Sequence, residues 1–123
     1  MSKVTVETDG AVATITMRIP EKKNALDPGA VEQLIDALRE DENDSDVRCV
    51  VITGEGDAFC AGADLSERVG VDDIADIPAD IESNFHEIIR IIMRMKKPVI
   101  SKVRGAAVGA GACIATASDY VYA

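Results

Sequence analysis

The sequence predicts an α/β fold built from repeated β-β-α units, and three observations predict it. Short alternating or apolar runs interleave with segments whose apolar residues recur at helical spacing, in the order ββαβ, loop, αβαβ. Two of the apolar runs lead directly into loops of glycine and alanine. The core-forming residues are Val, Ile, Leu and Ala, since the 123-residue chain has two Phe, two Tyr and no Trp. A chain of that length buries one core, so one domain spanning 1–123 is expected.

Val4 to Thr8 and Ala11 to Met17 alternate with period 2 around Asp9-Gly10, a turn dipeptide that tolerates positive φ, and this predicts a β-hairpin. A loop from Ile19 to Asn24 follows. Asp27 is placed to cap a helix that opens on Pro28, and Val31, Leu34, Ile35 and Leu38 give that helix one buried face. The acidic run from Glu40 to Asp46 is a surface connection. Arg48 to Thr53 is apolar at consecutive positions, which predicts a strand covered on both faces. Ile77, Ile81, Phe85, Ile88, Ile92 and Met95, at spacings of 4, 4, 3, 4 and 3, predict a long amphipathic helix stopped by Lys97-Pro98. Val99 to Val103 reads as a strand, Gly109 to Ala117 as a small-residue helix, and Tyr120 to Ala123 as the start of a further strand. A helix-packed sheet ending on an uncovered strand looks unfinished at its C-terminus.

Composition excludes several functions. The net charge is −9, with 22 acidic against 13 basic residues, and no basic stretch supplies the counterion-displacing face that nucleic-acid binding requires. The same charge argues against an anionic membrane surface. No apolar run approaches the roughly 20 residues needed to span a bilayer, and the start has no signal-peptide core, so a cytoplasmic location is expected. Cys49, Cys60 and Cys113 are widely spaced and lack metal-ligand spacing, so no metal is expected and the thiols read as reduced. His86, the single histidine, reads as structural, and Ser66, Ser83 and Ser101 have no nucleophile-elbow context.

The chemistry concentrates in two segments of one design, Val51 to Leu65 and Pro98 to Ala112: a strand, a loop of tiny residues, then a helix start. Tiny side chains let a ligand approach the backbone, and free N–H groups at a helix start favour negative charge. Phosphate-loop patterns fail on spacing, because Phe59 and Ile114 stand where a dinucleotide fingerprint needs glycine and no GK[ST] exists. Tight turns and close helix packing are the plainer account of either loop alone. Two such donors converging on one point would make an oxyanion hole.

Asn24 to Asp27, Val50 to Gly54, Ala58 to Leu65, Lys97 to Ile100, Gly105-x-x-Val-Gly-Ala-Gly111 and Asp119-x-x-Tyr-Ala123 follow one another in an order and spacing that resemble the crotonase (enoyl-CoA hydratase/isomerase) superfamily. The match covers essentially the whole chain and corresponds to the N-terminal half of the usual family domain. It implies a crotonase-like (ClpP/crotonase) superhelix of β-β-α units, incomplete at the C-terminus, and an acyl-CoA substrate whose coenzyme A is part of the substrate, with no separate cofactor. It implies that the backbone N–H groups of Ala63 and Ala110 polarise the thioester carbonyl. It implies that the substrate lies along Asn24, Ala25 and Leu26, along Ala61, Gly62, Ala63, Asp64 and Leu65, and at Gly109, Ala110 and Gly111.

Lys22 and Lys23 beside the turn are candidates to offset coenzyme A phosphate charge, or are simply solvated. Asp64 is expected to accept N–H bonds at its own turn. Family hydratases carry a Glu three positions after the second donor; here that position is Cys113, a poor substitute for a carboxylate that activates water. Cys113 is expected to be a packing residue. The departure favours isomerases, including relatives resembling 1,2-epoxyphenylacetyl-CoA isomerase, over two-Glu hydratases. A truncated acyl-CoA-binding module without acid/base groups and a purely structural fragment stand as the alternatives. A trimer or hexamer is what the resemblance implies for the full family domain.

Overall fold

Alternation and turn chemistry shape the first two strands. In the computed structural model, which describes residues 2–64 and 79–123 (for 79–83 the backbone alone), strand β1 (Val4–Asp9) turns at Gly10 and returns as β2 (Val12–Met17). The two pair antiparallel, with Val4 opposite Met17 and Asp9 opposite Val12. Strand β3 (Cys49–Gly54) then joins β2 in parallel, β4 (Val99–Lys102) joins β3, and β5 (Tyr120–Tyr122) joins β4. Among the described residues the result is one five-stranded sheet in sequence order, in which every strand pair after the hairpin is parallel.

Among the described residues, three helices lie in the crossovers: α1 (Pro28–Asn43), α2 (Ala79–Arg94) and α3 (Ala110–Ala117). Asp27 caps α1 as the sequence predicts, its side chain accepting from the Ala30 N–H at 2.8 Å, with Pro28 opening the helix. Burial alone would raise the Asp27 carboxyl. The hydrogen bonds from Lys3 and from the Ala30 N–H outweigh it and hold the group below the usual carboxylate range. Lys3 and Val4 N–H groups also donate to Gln33 Oε1, so the same helix anchors the start of β1.

The core fills with aliphatic side chains as the composition requires. Ala13, Ile15 and Met17 of β2 and Val50 and Ile52 of β3 are fully buried against Leu34 and Leu38 of α1 and Ile88 and Ile91 of α2. Of the predicted face, Phe85, Ile88 and Ile92 of α2 and Met95 just past its end pack on the core, and Ile91 is added. Ile77 lies outside the described residues, as does the side chain of Ile81. The expectation for β3 needs correcting. Val50 and Ile52 are buried, but Cys49, Val51 and Thr53 on the opposite face are only half-buried. Consecutive apolar residues there reflect β-branched strand formers, not burial on both faces.

The acidic run from Glu40 to Asp46, expected as a surface connection, instead starts inside the last turn of α1, which extends to Asn43 and hides one of its carboxyl groups from water. Asp41 is buried, and its Oδ2 has no hydrogen-bond partner among the described residues. Lys97 Nζ donates instead to the main-chain carbonyls of Asp41 and Asp44, tying the end of α1 to the turn before β4. Burial first, then repulsion from Glu40 and Asp44, raises the Asp41 carboxyl above its ordinary 3.8, with Lys97 opposing. The folded state therefore binds more protons than the unfolded one just above that ordinary value. Stability falls as pH rises through this interval. Asp41→Asn removes the loss: at pH 7 the variant is expected to have a higher urea midpoint than the parent, and the gap closes near pH 4. Urea titrations across that range check it, and equal pH slopes would refute it.

Candidate active site

The predicted site residues lie beyond the carboxyl ends of β2, β3 and β4, where open parallel sheets hold their ligands. There the chain builds a second, smaller ladder from three segments. Ala61 N–H donates to the Lys23 carbonyl at 3.0 Å, Leu26 N–H to the Gly62 carbonyl at 2.7 Å, and Asp64 N–H to the Leu26 carbonyl at 2.8 Å. On its other edge the middle segment pairs with the loop after β4: Phe59 and Cys60 N–H groups both donate to the Ala106 carbonyl, and Val108 N–H donates to the Cys60 carbonyl at 3.0 Å. Parallel bridges link Leu26 with Ala63 and Cys60 with Ala107. Residues 23–26, 59–64 and 106–108 thus stand side by side.

The first segment is pinned from within. Asn24 is fully buried at φ 59°, a left-handed conformation that Asn adopts more readily than most residues. Its Oδ1 accepts from the Ile19 N–H at 2.8 Å, and its Nδ2 donates to the Ala58 carbonyl at 2.8 Å and the Glu55 carbonyl at 2.9 Å. One side chain therefore joins the turn after β2 to the loop after β3. A ligand along this turn meets the half-buried Ala25 before it meets Asn24 or the buried Leu26.

The directions of the two expected donors follow from peptide planarity. In a trans peptide the C=O and the next N–H point opposite ways. The Gly62 carbonyl faces Leu26, so the Ala63 N–H faces away from that segment, toward the edge carrying the loop after β4. Gly62 makes this possible with φ 102°. Strict alternation from Cys60 would turn its carbonyl the other way. The Gly109 carbonyl accepts from the Cys113 N–H along the α3 axis, so the Ala110 N–H points out of the helix start. A β-carbon built on Gly62 would stand 3.0 Å from the Val108 carbonyl oxygen and 3.6 Å from the Ala110 nitrogen. Among the described residues, neither the Ala63 nor the Ala110 N–H donates to a backbone carbonyl.

Close backbone contact holds α3 in place. A β-carbon on Gly111 would lie 2.2 Å from the Cys60 carbonyl oxygen, so only glycine allows the helix to sit on the middle segment. Cys60 is fully buried beneath it, and burial pushes its thiol up. Gly109 is different: nothing crowds it, but its φ of 55° with ψ −121° is a conformation that L side chains strain to adopt.

Other expectations fare variously. Lys22 Nζ lies 2.9 Å from Asp64 Oδ2, so these two residues form an ion pair across the ladder. Cys113, expected to pack, is exposed, because Gly111, Ile114 and Ala115 form the buried face of α3 and residue 113 falls off it. His86 is exposed on α2. Leu65 and Ser66 lie outside the described residues. A cavity of about 30 Å³ opens beside Ala63 and Asp64, walled by Leu26, Val31 and Phe85, with room for a water or two. Two larger hollows, of about 280 and 390 Å³, are lined by residues of neither 59–64 nor 106–112, apart from the latter's neighbour Gly105. Among the described residues, no helix is long and apolar enough to cross a membrane.

A mostly parallel α/β sheet with small-residue loops stacked beyond its strand ends is the class of protein this geometry defines. Within that class the chain belongs to the enoyl-CoA hydratase/isomerase family, whose model matches residues 7–123. It is 37% identical over 115 residues to the 1,2-epoxyphenylacetyl-CoA isomerase of Escherichia coli K12, covering 91% of this chain and 44% of that protein. It is 41% identical over 117 residues to the probable enoyl-CoA hydratase EchA14 of Mycobacterium tuberculosis, covering 94% and 44%. Among solved structures it is similar to an enoyl-CoA hydratase/isomerase from Xanthobacter autotrophicus Py2, with a TM-score of 0.87, 31% identity and coverage of 98% and 45%. A putative enoyl CoA hydratase/isomerase (crotonase) from Legionella pneumophila gives a TM-score of 0.89, 30% identity and coverage of 98% and 47%. The fold is crotonase-like, and the chain spans less than half the length of these relatives.

Proposed function

We propose that this chain binds an acyl-CoA thioester and stabilises its enolate, with the N–H groups of Ala63 and Ala110 on the thioester oxygen. The observation that carries the reading is the direction of these two amides, one turned away from Leu26 and the other out of α3, across a contact of a few ångströms at Gly62. Removing the proton α to a thioester moves charge onto the carbonyl oxygen. Preorganised donors stabilise the oxygen where that charge develops, each by about 3–4 kcal/mol. Main-chain donors require no side chain beyond a methyl group, which fits alanine at both positions. The residues along Ala25, Ala61 and Gly109 hold the thioester arm in this reading. The names of the relatives, which include an acyl-CoA isomerase and probable hydratases, support the same substrate class.

Asp64 is the sole acid in segments 59–64 and 105–113, and it faces Lys22, so the group that moves the α-proton lies outside these two loops. Cys113 at the position of the family hydratase Glu favours isomerase chemistry over water addition. The same substitution favours a second reading, an acyl-CoA-binding module without proton-transfer groups. Calorimetric titration with a short acyl-CoA tests the site: saturable binding is expected, and its absence would eliminate both readings. Turnover of an enoyl-CoA then separates them, because binding without turnover identifies the module.

A further inference from the structure

We infer that Lys22 and Asp64 form a positioning clamp that holds the Ala63 amide on the thioester oxygen, an inference that rests on the reading just proposed. Ala63 is exposed and has only a methyl group, so its own side chain cannot fix its orientation. Its peptide is set by its neighbours. On one side stands Gly62, which has no β-carbon to limit rotation and whose carbonyl accepts from the Leu26 N–H at 2.7 Å. On the other stands Asp64, whose side chain is 8% exposed and reaches Lys22 at 2.9 Å. The Asp64 N–H is also bonded to the Leu26 carbonyl, so this residue is fixed at both its backbone and its carboxylate.

At the other end a half-exposed lysine side chain reaches out from a hydrogen-bonded turn. Lys22 closes the short 3₁₀ turn Pro20–Lys22, which is held by its N–H to the Ile19 carbonyl at 3.1 Å and by the buried bonds of Asn24 two residues on. Lys22 then acts through Asp64 on the carbonyl. A lysine that served coenzyme A phosphates would act on the other end of the ligand.

That difference is measurable. Wild type, Lys22→Ala, Lys22→Arg and Asp64→Asn are titrated with a short acyl-CoA and with coenzyme A itself, which has no carbonyl. The infrared stretch of a ¹³C-labelled thioester carbonyl is recorded in each complex. Wild type is expected to lower the stretch relative to free acyl-CoA. Lys22→Ala is expected to lose at least about half of that shift and to bind acyl-CoA about tenfold more weakly, the loss of roughly one charge-assisted hydrogen bond. Its affinity for coenzyme A stays unchanged, and Lys22→Arg recovers the shift. Asp64→Asn, nearly isosteric, reports the same loss from the other partner should Lys22→Ala fold poorly. An undiminished shift in both single variants overturns the clamp alone, as does equal weakening of acyl-CoA and coenzyme A. No shift in wild type overturns the parent reading, and the clamp with it.

Discussion

Ala110→Pro is expected to lower enoyl-CoA turnover by about a hundredfold to a thousandfold while leaving the melting temperature almost unchanged. Ala110 is the first residue of α3, where proline is well tolerated because the missing N–H has no partner within the helix. The substitution thus removes one donor from the proposed site with little cost to the fold. Loss of a single preorganised donor of this kind costs about 2.7–4 kcal/mol of transition-state stabilisation, which gives the expected factor. Circular dichroism and steady-state kinetics on the same preparation check it. Unchanged turnover in a folded variant would remove Ala110 from the mechanism, and for a chain that binds without turnover the same comparison is read in acyl-CoA affinity.

Asn24→Ala should act on the opposite quantity. It orphans the buried Ile19 N–H and leaves the carbonyls of Glu55 and Ala58 without their side-chain donor. Each unsatisfied buried group costs about 1–3 kcal/mol, and alanine tolerates the left-handed backbone at this position less well than asparagine. A loss of about 3–5 kcal/mol is expected, a large share of the 5–15 kcal/mol that a domain of this size typically has. Urea denaturation measures it. A loss below about 1 kcal/mol would show that the turn after β2 is held by its backbone alone.

These two residues also show what could and could not be read from the chain. The hairpin, the Asp27 cap with Pro28, the long helix ending before Lys97-Pro98, and the strands around Val50 and Val99 are local properties. They depend on period, capping and turn chemistry within a few residues, and the structure places them within a residue or two of the expectation. The glycine–alanine loops were legible as candidates for the same reason. Their contacts were not. Nothing local in Asn24 says that it bonds to Ala58, and nothing in Lys22 says that it finds Asp64, because these pairs are 34 and 42 residues apart. The exposure of Cys113 and the half-open face of β3 were missed for a related reason. Apolar character reveals which residues prefer burial, whereas the packing of α3 through Gly111 decides which of them obtain it.

The seat of Gly111 against the Cys60 carbonyl has a consequence for how such a protein can change. Because helix and loop meet main chain to main chain, the spacing between the two alanine peptides is a property of the backbone and does not depend on what residues 63 and 110 carry. In the proposed reading, exchanges at exposed positions such as 113 can therefore alter proton transfer without disturbing the point proposed to receive the oxygen. Given the proposed site, one scaffold can keep its grip on a ligand carbonyl while the chemistry beside it is replaced.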